Sequence, residues 1–354
     1  MSTLSQPLYK KIMYDLQQSI QTGALAVNSQ LPTEKELSET YGVSRITSKR
    51  ALTELEQAGL IYRIQGRGSF VKEPGKTSAT TASRILFLLP FVNDLSVGNF
   101  TEGLTPVMTE KNIEVMMASL TFLTGRKAKD LASEFDGMIY YAYNTEQHLD
   151  ILFELSLLKF PVVVLDKKIY DLPFPTVLSD NFEGGSLATN SLIDEGHTRI
   201  AYLFGGGIHP QSVRQRYLGY IDALSKSALS FHTQMDELLL LDTNLSTYLE
   251  ANEITGLVCE NDLVAIQAMR VLRQSGKQVP DNFSVIGFDD IQAAALVDPP
   301  LTTIAQDFKK LGEIAGTILL EWIESGVLTD DQKVPVRYIK RQSTKEIFDE
   351  NSIH

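Results

Sequence analysis

The 354-residue sequence has one cysteine, Cys259, one tryptophan, Trp322, and five histidines. One cysteine cannot close an internal disulfide, and no cysteine or histidine stands near it at metal-ligand spacing. A secreted disulfide scaffold and a zinc module are therefore both excluded. No run of about 18 uninterrupted apolar residues occurs, so no obvious membrane span exists. The opening Met1-Ser2-Thr3-Leu4-Ser5-Gln6-Pro7 lacks a basic segment followed by an apolar one. The expectation is a cytoplasmic chain with no membrane partner, metal or cofactor. What is present is a balanced composition, 43% hydrophobic and 21% charged, unlike that of a disordered, collagen-like or coiled-coil protein. The length calls for two or three domains.

The net charge is −12, which taken evenly would disfavour a nucleic-acid partner. The charge is not even. Residues 1–73 hold nine lysines and arginines against seven acids, a balance of +2, and the rest of the chain holds 23 against 37, a balance of −14. Within Tyr41 to Lys72, six cations (Arg45, Lys49, Arg50, Arg63, Arg67 and Lys72) face only Glu54 and Glu56. A small basic head therefore precedes a large acidic body. Residues 74–83, small and flexible with no large apolar side chain, read as the linker between a domain at 1–73 and a body at 84–347.

In the head, Pro7 suits a first helical turn. Tyr9, Ile12, Leu16 and Ile20 recur at helical spacing up to a cap at Gly23. Thr33 and Glu36 make a capping box for a short second helix ending at Gly42. Ser44 then caps a third, whose buried stripe is Ala51, Leu52, Leu55 and Ala58. The β-prone runs Leu60–Ile64 and Ser69–Val71 flank Gln65-Gly66-Arg67-Gly68, a hairpin with a positive tip. Helix, glycine turn and a second helix with basic residues at its start is a geometry that a duplex major groove accepts.

From Arg84 the pattern changes to apolar strands alternating with helices, the mark of a mostly parallel α/β sheet. Six strands are expected, within 85–89, 137–141, 161–165, 199–204, 255–259 and 283–288, enough for two lobes facing a cleft. Ligands of such sheets bind beyond the carboxyl ends of the strands. Polar residues gather there: Tyr143 and Asn144, Asp166, Glu260-Asn261-Asp262, and Asp289-Asp290, with Ser212 and Arg216 preceding a helix. Acceptors, amides and one arginine around a cleft suit a polyhydroxylated ligand.

The ordered motifs Leu31-Pro32-Thr33-Glu34, Gly42-Val43-Ser44-Arg45-Ile46-Thr47, Ala51-Leu52-x-x-Leu55 and Gly66-Arg67-Gly68-Ser69-Phe70-Val71 resemble the winged helix-turn-helix of the GntR family. Val177-Leu178-Ser179-Asp180-Asn181, Glu195-Gly196-His197-Thr198-Arg199, Arg216-Tyr217-Leu218-Gly219, Val285-Ile286-Gly287-Phe288-Asp289-Asp290 and Pro299-Pro300-Leu301-Thr302-Thr303-Ile304 resemble the effector domain of LacI/GalR repressors, itself similar to periplasmic sugar-binding proteins. The combination is similar to the arabinose-responsive repressors of Gram-positive bacteria. The fold it implies is α/β: an N-terminal winged helix-turn-helix plus a two-lobed, type I periplasmic-binding-protein-like domain with parallel sheets. The first lobe would take about 84–178 and 308–335, and the second about 179–307 and 336–347.

The resemblance also implies roles. Glu34, Lys35, Arg45, Thr47, Lys49, Arg50, Gln65, Gly66 and Arg67 would meet double-stranded operator DNA, palindromic for a homodimer. Tyr143, Asn144, Asp166, Ser212, Arg216, Asn261, Asp289 and Phe308 would meet a sugar effector, arabinose or a related sugar. Two positions depart from the family: arginine is usual where Lys49 stands, and an apolar residue where Ser48 stands. Lysine gives a point charge instead of a fork on guanine. The first loop, Phe91 to Phe100, departs too, as does the stretch Thr243 to Tyr248.

Other readings carry less. Adjacent Asp289 and Asp290 point in different directions, unlike a glycosidase pair on separate elements. His197 reads as structural, and His209 and His232 lack a nucleophile at recognisable spacing. Gly205-Gly206-Gly207 is not a dinucleotide fingerprint. No enzyme reading results. A transport binding protein would leave the basic head without a use. A regulator answering to a nucleobase or sugar phosphate remains the alternative, with Lys167 and Lys168 as further phosphate contacts beside Arg216.

Overall fold

The computed structural model describes residues 8–347 apart from 22–23, 27, 58–59, 65–66, 72–82, 91–96, 143–146, 170, 207–208 and 234–244. The wing-tip residues Gln65 and Gly66, the cleft residues Tyr143 and Asn144, and nearly all of the linker lie outside the described residues. The chain forms two compact units, residues 1–81 and 82–354.

The head is built from α1 (Leu8–Gln21), α2 (Glu34–Tyr41), α3 (Arg45–Gln57) and the hairpin β1 (Ile61–Ile64) and β2 (Gly68–Val71). Ile12 and Leu16, one helical turn apart on α1, meet Leu37, Ala51, Leu52, Leu55, Ile61 and Val71 in one core. Each such side chain contributes about 1.5–3 kcal/mol when fully buried. The capping box forms: Glu36 N–H donates to Thr33 Oγ1 at 3.2 Å, and Thr33 N–H to Glu36 Oε2 at 2.7 Å. Gly42 ends α2 at φ +62°, a left-handed cap that glycine adopts at least cost. The wing pairs antiparallel, Ile61 opposite Val71 and Ile64 opposite Gly68. Ser48 is fully buried, and its Oγ has no hydrogen-bond partner, which accounts for the apolar residue usual at that position.

The second unit holds β3 (Arg84–Leu89), α4 (Val97–Glu110), β4 (Glu114–Ser119), α5 (Ala128–Glu134), β5 (Gly137–Tyr141), α6 (Leu149–Leu157), β6 (Val162–Leu165) and β7 (Thr176–Ser179). It continues with α7 (Asn181–Asp194), β8 (Ile200–Leu203), α8 (Gln211–Lys226), α9 (Leu245–Ala251), β9 (Gly256–Cys259), α10 (Asp262–Gln274) and β10 (Ser284–Asp289). The last elements are α11 (Gln292–Leu296), β11 (Thr302–Ala305), α12 (Phe308–Ser325), β12 (Gln332–Val334) and β13 (Arg337–Ile339). Two sheets result, in the orders β12-β7-β6-β5-β3-β4 and β13-β11-β10-β9-β8. The first is parallel throughout. The second is parallel except where β13 runs against β11.

Eleven strands of this unit are described, not six. Those beyond expectation are β4, β7, β11, β12 and β13. β4 is an edge strand whose apolar run, Val115-Met116-Met117-Ala118, is short and only partly buried. β7 and β11 are interrupted by serine and threonine, and β12 and β13 span three residues each. Such segments become strands only because a neighbour supplies the ladder. Each sheet is packed on both faces, the first by clusters around Leu86, Tyr140 and Trp322 and around Phe87, Phe100 and Leu319. The second has clusters around Leu257 and Leu272 and around Tyr202, Tyr220 and Phe288.

The chain passes from one sheet to the other after β7, before α12 and between β12 and β13. Close helix crossings flank the sheets. A Cβ at Gly185 would stand 1.9 Å from the Arg216 carbonyl oxygen, and one at Gly219 2.0 Å from that of Phe182, so α7 and α8 touch backbone to backbone. Gly103 and Gly312 do the same for α4 and α12.

Candidate functional site

In the head, α3 presents a cationic start. Ser44 caps it, accepting from Thr47 N–H at 3.3 Å and meeting Thr47 Oγ1 at 2.9 Å. Arg45 and Lys49 are exposed one turn apart, and among the described residues no carboxylate pairs with either. Three other predicted contacts, Arg50, Glu34 and Lys35, are engaged within the protein. Arg50 lies 4.1 Å over the Tyr9 ring and 3.8 Å from Glu54. Glu34 pairs with Arg63 at 3.7 Å, and Lys35 with Glu39 at 3.9 Å. Exposed pairs of this kind are worth only about 0–1 kcal/mol and yield readily to phosphate. Arg67 is exposed beside the wing tip, its carbonyl accepting from Gln30.

In the body, the carboxyl ends of β9 and β10 converge on Arg216. The sequence places Ser212 and Arg216 before a helix, whereas the structure puts both inside the first two turns of α8, which starts directly after Pro210. Arg216 is 4% exposed. Its Nε donates to Asn181 Oδ1 at 2.8 Å and its Nη1 to the Glu260 carbonyl at 2.6 Å, while its Nη2 stands 3.3 Å from Asp289 Oδ1. The guanidinium lies 3.7 Å over the Phe288 ring. A buried cation is tolerable only with such partners.

Asp289 also accepts from Gln306 Nε2 at 2.6 Å, and Gln306 Oε1 in turn accepts from Ser179 Oγ at 2.5 Å. Ser179 and Gln306 sit at two of the passages between sheets, so the carboxylate at the end of β10 is bonded directly to the hinge. Asp290 turns away to Arg341 at 2.6 Å, which confirms that the two aspartates do not form a pair.

The remaining predicted residues divide. Ser212 is buried beside Arg216 on α8. Asn261 caps α10, accepting from Val264 N–H at 2.9 Å, with its amide 3.5 Å from Glu260 Oε1. Asp166, at the end of β6 in the first sheet, pairs with buried Lys167, whose ammonium also donates to the Ala142 carbonyl at 2.9 Å. Lys168 N–H donates to Gln211 Oε1 at 3.1 Å, a bond between the first lobe and the start of α8. Phe308 is buried in the first-lobe core with its ring 5.0 Å from Phe100.

Burial raises the Glu260 carboxyl above its ordinary value. Burial, with the nearby Asp289 charge, pushes Asp262 up to about 8; Thr303 Oγ1 and Ile291 N–H bond its two oxygens. His197 is structural, its ring between Thr255 Oγ1 at 2.8 Å and the Lys345 carbonyl at 3.1 Å. Asn181 and Gln306 had escaped assignment. Asn181 lies inside a motif that carries the resemblance and Gln306 two residues beyond one, and only the fold shows their side chains turned to Arg216 and Asp289.

Residues 8–71 match the model of bacterial regulatory proteins of the gntR family, and residues 189–344 that of a periplasmic binding protein-like domain. The arabinose metabolism transcriptional repressor of Geobacillus stearothermophilus is 28% identical over 96% of this chain and 98% of its own length. The HTH-type transcriptional repressor PurR of Aliivibrio fischeri is 30% identical over 64% of this chain and 67% of its own. A LacI family transcriptional regulator from Enterococcus faecium, solved with bound ribose, superposes with a TM-score of 0.62 at 27% identity, covering 75% of this chain and all of that one.

A winged head with an open cationic helix and a two-lobed body with a polar centre define a ligand-binding transcription regulator. Among the described residues no helix is long and apolar enough to cross a membrane. The chain belongs to the bacterial transcriptional repressors in which a gntR-family DNA-binding head precedes a periplasmic-binding-protein-like effector domain.

Proposed function

We propose that this protein is a repressor that leaves its operator when a small free sugar binds between the two lobes of the body. The observation that carries this is Arg216, a buried arginine held at the strand ends by Asn181, the Glu260 carbonyl and Asp289. Donors and acceptors side its guanidinium, and sugar hydroxyls need both. Ser212, Asn261 and Asp166 complete the proposed contacts, with Tyr143 and Asn144, which follow β5 in the sequence; Phe308 would stack at the margin. The effector of this reading is a pentose such as arabinose, or a related sugar.

A phosphorylated effector would call for further uncommitted cations. Of the candidates, Lys167 is already bonded to Asp166 and Ala142, and Lys168 is paired with Asp331. This favours a free sugar.

On the DNA side, Arg45, Thr47 and Lys49 would enter the major groove, with Arg50, Glu34, Lys35 and the wing tip at Gln65, Gly66 and Arg67 supporting them along the backbone. A homodimer would place two heads on a palindromic site. Exposed apolar side chains at Met117 on edge strand β4 and at Leu263 and Leu296 on the second lobe offer surface for a second copy. Sugar binding acts through its differential affinity for two lobe arrangements, a coupling of typically about 1–3 kcal/mol.

Melting the purified protein with pentoses, hexoses and their phosphates tests the effector. A rise with a free sugar is expected, and a rise with phosphates alone would refute the free-sugar reading. Arg45→Ala should abolish operator binding while sparing that melting shift. Asp289→Ala should bind the operator but no longer release it; release at wild-type sugar concentrations would refute the cleft assignment.

A further inference from the structure

On the open face of α3, Ile46 stands between Arg45 and Lys49 with 81% of its surface exposed. The helix has a clear inside: Ser48, Ala51, Leu52 and Leu55 are buried. Positions 45, 46, 49 and 50 are all on the outside, and 46 lies on the same stripe as 49 and 50, three and four residues on. Nothing within the head calls for isoleucine there. A β-branched residue is a mediocre helix former, and at this exposure it buries almost nothing.

A single exposed aliphatic side chain needs no explanation in general. This one is set apart by its surroundings. It sits in the first turn of the helix, next to two cations that pair with no described carboxylate. Three other cations of the head have carboxylate partners: Lys35 has Glu39, Arg50 has Glu54, and Arg63 has Glu34 and Glu56. Uncommitted positive charge together with an apolar branched tip matches a major-groove edge, where phosphates and guanine acceptors border the thymine 5-methyl, the one apolar group that the groove displays. A protein surface or a lipid would supply the apolar contact but would not require the two bare cations on either side of it.

We propose that Ile46 reads a thymine in the operator by covering its 5-methyl group, and so fixes base choice at a position that Lys49, a point charge, specifies poorly. This rests on the DNA-binding reading of the head. The contact removes both the methyl and the isoleucine tip from water without any hydrogen bond, so it discriminates thymine from uracil as well as from the other bases.

The test uses the full-length protein and a duplex library randomised over about two helical turns, ~20 base pairs. Sites enriched by the wild type are remade with each thymine replaced in turn by deoxyuridine, which deletes the methyl alone. Binding of wild type and of Ile46→Ala is then measured to every duplex at one salt concentration. One position in each half-site is expected to lose about fourfold for the wild type, the worth of one methyl group taken out of water. At that position Ile46→Ala should lose nothing further, while its response to every other duplex follows the wild type. At 81% exposure the alanine variant keeps the head's core intact, and an unchanged melting curve verifies this. Equal uracil penalties for the two proteins at every position would overturn the proposal while leaving DNA binding standing. Failure to enrich any duplex would overturn the DNA-binding reading and the proposal with it.

Discussion

Replacing Gly185 with alanine sets two opposed effects against each other at the helix crossing that carries Arg216. Alanine in a helix interior is favoured over glycine by about 1 kcal/mol, because it restricts the unfolded chain more. Against this, its Cβ would stand 1.9 Å from the Arg216 carbonyl oxygen, where ordinary contact begins at 3.4 Å, so α7 and α8 would have to part by about 1.5 Å. The obstacle is backbone and cannot rotate aside. Overpacking of this kind costs about 1–3 kcal/mol, and the parted helices also lose contacts around Val213, Tyr217 and Tyr220. The clash wins, with the lost contacts adding to it, leaving a net loss of about 1–2 kcal/mol, or about 2–8 °C in melting temperature for a body of this size. Thermal unfolding of the full-length protein measures it. Because Arg216 moves with its own carbonyl, the sugar-induced melting shift should shrink as well. Gly312→Ala, which meets the Phe100 carbonyl at 2.1 Å in the first lobe, should lose similar stability. A Gly185→Ala protein as stable as the wild type would refute the backbone-contact argument and leave helix propensity as the deciding term.

Three further outcomes follow from buried polar groups. Ser48→Ala removes a hydroxyl that has no partner and should stabilise the head by about 1 kcal/mol, seen as slower hydrogen exchange in α3; faster exchange would show that the hydroxyl is bonded after all. Asp262, held at about 8 in the folded chain against an ordinary 3.8, keeps its proton between those values while the unfolded chain loses it. Stability should therefore decline from about pH 4 to about pH 8 and level off above. Asp262→Asn should remove that part of the decline, and identical melting-versus-pH slopes for the two proteins would contradict it. Gln306→Met deletes the bonds to Asp289 and Ser179 with little change of volume, and should weaken the sugar-induced melting shift by freeing the Asp289 carboxylate from the hinge. An unaltered titration would show that the hinge bond plays no part in binding.

The sequence by itself determined the division into a basic head and an acidic body, the helices of the head, and the strands that are apolar from end to end. Those features depend on residues close together: Thr33 with Glu36 is enough for a cap, and a short run such as Ile85-Leu86-Phe87-Leu88-Leu89, apolar at every position, suits a strand buried on both faces. The ordered motifs also pointed to Arg216 and Asp289. What they could not show is that Asn181 and Gln306 reach those two side chains, since the partners lie 35 and 17 residues apart and meet only when the sheets bring them together. Strands β12 and β13, three residues each, were hidden for the same reason, being made by the neighbour they pair with more than by their own residues. The roles of Arg50 and Ile46 were likewise decided by tertiary structure. Both stand at the start of one helix, yet one is folded onto Tyr9 and the other left facing outward, because only the packing of α1 against α3 determines which side of the helix is covered.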